Sequence, residues 1–124
     1  MYDNGHGVDV NYKKAIEWYE KAVEQGHAGA QHNLGVIYQD GQGVDVDYKK
    51  AIEWYEKAAK QGDADAQFNL GTMYYHGRGV DQDDSMAMRW YAKAAAQGDE
   101  QAQGQIGIIL AKRRKSTAGS TEGK

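Results

Sequence analysis

Residues 48–62 read YKKAIEWYEKAAKQG and residues 64–76 read ADAQFNLGTMYYH, with Asp63 alone between them. In the first stretch Tyr48, Ala51, Ile52, Tyr55, Ala58 and Ala59 fall three and four apart. That is the spacing of one apolar helical face. Glu53 with Lys57, and Glu56 with Lys60, stand at the i,i+4 distance of ion pairs on the opposite side. Gly62 suits the left-handed residue that closes a helix, and Asp63 suits the cap of the next one. The second stretch places Ala66, Leu70, Met73 and Tyr74 on one face. A turn this short makes the two helices antiparallel neighbours. We term the first type B and the second type A.

The same text recurs on either side. Tryptophan falls at Trp18, Trp54 and Trp90, a constant step of 36 residues. Gly26, Gly62 and Gly98 keep that step, as do Gly35, Gly71 and Gly107, and Ala30, Ala66 and Ala102. Residues 5–40 agree with 41–76 at 25 of 36 positions, and residues 41–74 with 77–110 at 17 of 34. Identity at that level establishes an internal repeat, and a period of this length signifies a helical array. The expected helices run B, A, B, A, B, A over about 10–25, 28–39, 46–61, 64–75, 82–97 and 100–113. The links from A to B read GHGVDVN, GQGVDVD and GRGVDQD. Their paired glycines suit positive φ, the valine can plug the core, and the aspartates favour the coming helix N-terminus. No Lys-Ser/Thr follows and no strand precedes, so these glycines are structural, not a phosphate cradle.

The resulting fold class is all-α: a right-handed α/α superhelical solenoid of antiparallel helix pairs with 36-residue repeats. Residues 1–113 form the array, beginning at the end of a truncated helix A, and residues 114–124 form a flexible tail. The N-terminal helix B lacks its preceding partner, so the side bearing Tyr12, Ala15, Ile16 and Tyr19 is expected to be exposed. Lys112, Arg113, Arg114 and Lys115 suit a soluble helix end, where positive charge favours the dipole.

At 124 residues the chain has one domain's worth of length, and its formal net charge is −3 with 27% charged residues. That balance does not suit a nucleic-acid binder relying on electrostatics. There is no cysteine, which excludes a disulfide framework, a thiolate zinc site and a cysteine nucleophile. No apolar run approaches the roughly 20 residues that span a bilayer. The N-terminus lacks the basic start and apolar stretch of a signal peptide. The expected location is the cytoplasm for a complete chain, and the periplasm or exterior if a signal segment has been removed.

The string A-x-A-Q-x-N-L-G-x-x-Y, then G-x-G-V, then A-x-x-W-Y-x-K-A-A-x-Q-G resembles the Sel-1-like repeat, a relative of the tetratricopeptide repeat. The resemblance covers residues 1 to about 111. Asp9, Asp45 and Asp81 stand where that family usually has proline, which costs the loop some stiffness. Family members are often cysteine-bridged and secreted, and this chain has no cysteine. The resemblance implies a non-enzymatic adaptor that assembles complexes, often in bacterial signalling or envelope processes. It also implies that one stripe of each type A helix lines a concave groove.

Copies one and two differ at 11 of 36 positions, and seven of these lie in or just before helix A. Positions 29, 32, 36, 39 and 40 trace a single helical stripe, while Ala30, Leu34, Gly35 and Tyr38 match their counterparts. The stripe therefore reads as free of the packing rule and available for binding. Its expected members are His32, Val36, Gln39, Phe68, Thr72, Tyr75 and His76, continued by Gln105 and Ile108, and the resemblance implies that Asn33 and Asn69 face the same groove. Aromatic anchors and side-chain amides together suit an extended peptide. The Trp-Tyr pairs at 18–19, 54–55 and 90–91 read as packing between repeats rather than a stacking ladder.

Catalytic chemistry is poorly supplied. The serines are Ser85, Ser116 and Ser120, none in Ser-x-x-Lys or Gly-x-Ser-x-Gly. No two of His6, His27, His32 and His76 share a helical face at metal-ligand spacing. No catalytic residue, metal or cofactor is expected. The expected partner is a protein or peptide, with no nucleic acid, no membrane insertion, and self-association through the exposed N-terminal helix. The alternative is a hydrolase of cell-wall-like substrates, which a closed pocket of convergent acids and histidines would favour.

Overall fold

A computed structural model of the chain describes the backbone of residues 5–122 and the side chains of residues 13–115. Six helices and no strand occur among them: α1 Gly5–Glu24, α2 Ala28–Asp40, α3 Tyr48–Lys60, α4 Ala64–His76, α5 Asp84–Ala96 and α6 Glu100–Glu122. Each helix packs on its neighbours in chain order, most extensively α2 on α3 and α4 on α5. This is an all-α solenoid in which every unit touches only the next.

The local signals act as read. Asp47, Asp63 and Asp83 each accept a backbone N–H from three residues on, at 3.0–3.1 Å. These bonds satisfy donors that a helix start leaves open. Asp99 does the same for α6. Gly62 has φ +98°, and Gly41 and Gly77 close α2 and α4 in the left-handed region. The loop valines Val44 and Val80 pack half-buried against the core.

The core forms three clusters, one per repeat. Ala51, Ile52, Tyr55, Ala58, Ala59, Ala66, Leu70 and Met73 make the central one. Ile16, Leu34 and Ile37 lie before it, and Ala87, Tyr91, Ala94, Ala102 and Ile109 after it. Tyr48, read as part of the buried face, is exposed at the rim.

Four expectations need correction. The segment GHGVDVN is helical, because α1 begins at Gly5. In the inner copies the loop is tied to the helix before it by Asp47 N–H on the Tyr38 carbonyl and Asp83 N–H on the Tyr74 carbonyl. The residue one step before Tyr38 is Tyr2, which lies outside the described residues. At the other end α6 continues through Arg113 to Glu122, past residue 113 where that helix was expected to end. Arg113 replaces the closing glycine of the inner type A helices, and the alanine, lysine and arginine around it favour helix. The two ion pairs within α3 do not form: Lys57 instead lies over the Trp54 ring, 4.8 Å from its centroid. The ion pair present among the described residues joins Lys112 to Asp84, 3.7 Å apart.

The fourth correction concerns the exposed N-terminal flank. Ile16 is buried at 9% exposure, and Tyr19 is half-buried. The bare residue is Trp18, at 69%. Trp54 packs on the cluster of the unit before it, and Trp90 does likewise. Among the described residues no such cluster covers Trp18. The side chain of Tyr12 lies outside the described residues.

Candidate functional site

The type A helices are joined to the following type B helices by a tyrosine seated on a glycine. A Cβ at Gly35 would come within 2.5 Å of the Tyr55 ring, and one at Gly71 within 2.8 Å of the Tyr91 ring. Absence of a side chain is what admits these rings, which are 1% exposed. A buried hydroxyl needs a partner, since an unmet one costs about 1–3 kcal/mol. Tyr55 donates to Gln39 Oε1 at 2.7 Å, and the Tyr91 hydroxyl meets Thr72 Oγ1 at 2.9 Å.

Those two acceptors occupy different positions of the repeat. Gln39 has Tyr75 as its counterpart, and Thr72 has Val36. The copies thus solve one problem, the buried hydroxyl, in two ways. Part of the variation along the stripe is therefore compensated packing, and the reading of the stripe as free of the packing rule is corrected accordingly.

His32 and Asn69 are drawn into the same junction. Asn69 Nδ2 lies 3.0 Å from His32 Nε2, and the His32 ring sits 5.8 Å from that of Tyr55. Burial pushes the Tyr55 hydroxyl pKa well up; the Asp40 carboxylate adds to this, and Asn69 partly offsets it. Burial also raises that of Tyr91, with Thr72 opposing it. Both phenols stay protonated and able to donate at neutral pH.

Other stripe members have different surroundings. Phe68 is half-buried, its ring 5.3 Å from that of Tyr91. Tyr75 meets His76 edge-on at 5.1 Å and carries Lys112 over its face at 5.0 Å. Asn33 and Val36 open into a cleft shared with Ala15, Tyr19, Ile37 and Gln42. Gln105 is half-buried on α6, and Ile108 is exposed. The stripe thus divides. His32, Gln39, Asn69 and Thr72 serve the tyrosine junctions, whereas Asn33 lines an open cleft, His76 and Ile108 are exposed, and Tyr75 is half-buried against the last core cluster. The His32–Asn69 hydrogen bond links α2 directly to α4.

Sequence reading missed a second ladder. Gln61 Nε2 donates to Gln31 Oε1 at 2.6 Å, and Gln97 Nε2 to Gln67 Oε1 at 3.0 Å. Gln67 also donates to the Ala59 carbonyl. The signal was present, since Gln25, Gln61 and Gln97, and Gln31, Gln67 and Gln103, all keep the 36-residue step.

The basic cluster is partly engaged. Lys112 pairs with Asp84, and Arg113 donates to Ser85 Oγ at 3.0 Å, fastening α6 to α5. Among the described residues no three His, Asp or Glu side chains gather as a metal site, and no helix is long and apolar enough to cross a membrane.

A family model described as the Sel1 repeat matches residues 1–27, 28–63 and 64–99. The chain is similar to a solved protective antigen of uropathogenic Escherichia coli displaying an SLR fold, with 41% identity over 78% of this chain and a TM-score of 0.77. It is similar to a Sel1 repeat protein of Oxalobacter formigenes, with 40% identity over 76% and a TM-score of 0.72. It is also similar to cysteine rich protein B of Helicobacter pylori, with 32% identity over 75% and a TM-score of 0.72. The chain spans 21%, 39% and 70% of those three proteins. No curated protein sequence matches it.

Proposed function

Because the chain belongs to the Sel1 repeat family, we propose that it is a non-enzymatic scaffold whose type A helices hold a protein or peptide along one strip. A Sel1-repeat solenoid is a helical scaffold commonly used in protein interaction. The observation that supports the reading is the His32–Asn69 bridge, which ties together stripe positions on two successive type A helices. Around it Phe68 and Tyr75 supply partly exposed aromatic surface, and Asn33 and Gln105 supply amides able to bond a peptide backbone. The strip carries few charges, so salt should alter affinity only weakly.

The test is peptide display against the purified chain, then calorimetry on the selected peptide. Asn33→Ala and His76→Ala should weaken binding without moving the thermal midpoint, because neither side chain belongs to a buried cluster. Tyr75→Ala should cost more than about 1 kcal/mol of binding, as aromatic anchors do. Phe68→Ala should weaken both binding and stability, since its ring packs on Tyr91. Normal binding by all four variants, with loss on substituting Glu53 or Lys57 of the outer face, would refute the strip.

A further inference from the structure

One position of the repeat changes its charge from copy to copy. The last residue of α2 is Asp40, one repeat step on is His76 at the end of α4, and a further step on is Lys112 in α6. The column thus runs from acidic to basic across the three type A helices. We propose that the partner is an extended peptide with one basic and one acidic side chain about five or six residues apart, the basic one over Asp40 and the acidic one over Lys112. The proposal rests on the strip reading above and adds to it the chemistry of the occupant.

Both charged residues are open to solvent. Asp40 is exposed and makes no ion pair among the described residues. Its carboxylate helps to raise the pKa of the Tyr55 hydroxyl, whose acceptor is Gln39 of the stripe. Asp40 therefore borders the first tyrosine junction. Lys112 pairs with Asp84 at 3.7 Å, yet its side chain stays 55% exposed, and its Nζ stands 5.0 Å from the centre of the Tyr75 ring. Arg113 follows it, held on Ser85. Lys112 and Arg113 together outweigh Asp84, so the α6 end stays positive. His76 lies between the two ends, exposed, with its ring 5.1 Å from that of Tyr75.

The packing of the helices sets the spacing in the peptide. α2 and α4 touch through His32 and Asn69, and α4 and α6 through Tyr75 and Lys112, so the three type A helices stand side by side. Packed helices lie about 8–10 Å apart, which puts Asp40 and Lys112 about 16–20 Å apart. An extended chain advances about 3.3 Å per residue, so about five or six residues cover that span. Phe68 and Tyr75 lie on α4 between the charged ends, so an apolar side chain suits the middle of the peptide. The two ion pairs are exposed, so they select the register of the peptide more than they add affinity. That agrees with the weak salt dependence expected of the strip.

Display of random dodecapeptides on the purified chain tests this. The recovered peptides should carry a Lys or Arg and an Asp or Glu about five or six residues apart. Selection on Asp40→Lys should replace the basic residue with an acidic one at the same spacing, because both ends of the strip are then positive. Asp40 belongs to no buried cluster, and a lysine suits the end of a helix, so circular dichroism should show this variant folded. In titration calorimetry, a peptide selected on the unchanged chain should bind Asp40→Lys about fivefold more weakly and Lys112→Gln about threefold more weakly, the scale of exposed ion pairs. Peptides that lose affinity on Asn33→Ala yet carry no such charge pair overturn this proposal and leave the strip standing. So does recovery of the same peptides from Asp40→Lys and the unchanged chain. Recovery of no peptide, or binding indifferent to both Asn33→Ala and Tyr75→Ala, overturns the proposal and the strip together.

Discussion

Tyr55 and Trp54 are neighbours in sequence and have different tasks. Tyr55 is enclosed between two repeats, with its ring on Gly35 and its hydroxyl on Gln39. Trp54 is half-buried, one side on the preceding unit and the other under Lys57. Tyr55→Ala and Tyr91→Ala should therefore cost about 3–5 kcal/mol in urea unfolding, as loss of a buried aromatic does. Trp18→Ala should stay within about 0.5 kcal/mol in dilute monomer, as exposed substitutions do. The same tyrosines make stability sensitive to alkali. Their folded pKa values lie above the unfolded value of about 10, so the folded state keeps protons that the unfolded state releases. Stability is full below pH 10 and falls as pH rises above it. An alkaline series of urea midpoints should show that fall, and Tyr55→Phe should reduce its slope. Unchanged midpoints up to pH 11 would mean that the phenols ionise as freely in the fold as in the unfolded chain.

At the scale of the element, three glycines at one repeat position separate local propensity from packing. Alanine is the better helix former by about 1 kcal/mol. At Gly107 the added methyl meets open space, so Gly107→Ala should stabilise α6. At Gly35 and Gly71 it meets a tyrosine ring held on all sides, so the same change should destabilise despite the propensity gain. Thermal melts of the three variants measure the difference directly, and a uniform gain would show that the tyrosine seats are loose. The repeat pattern made these positions equivalent; what sits opposite each one comes from the adjacent helix.

Across the whole molecule, stability follows the number of neighbours each helix has. The inner helices α2 to α5 pack on both sides along the array, whereas α1 and α6 pack on one. Hydrogen exchange in dilute solution should give the longest protection in α3 and α4, with α1 and α6 exchanging first. Equal protection in all six would indicate that the array opens as one unit.

Much of this architecture was legible without coordinates. The 36-residue step, the apolar spacing within each segment, the capping aspartates and the closing glycines are local properties, and local backbone chemistry acts the same way in each copy. Phe68 and Tyr75 follow from the spacing of the variable positions, and Asn33 from the family resemblance. Two things came only from the tertiary structure. Whether a tryptophan is covered depends on the packing around it, so Trp18 differs from Trp54 despite a nearly identical local sequence. Above all, the roles of Gln39 and Thr72 are fixed by a hydroxyl on another helix, 16 and 19 residues away along the chain. A buried donor must find an acceptor in three dimensions, and two different positions of the repeat can supply it.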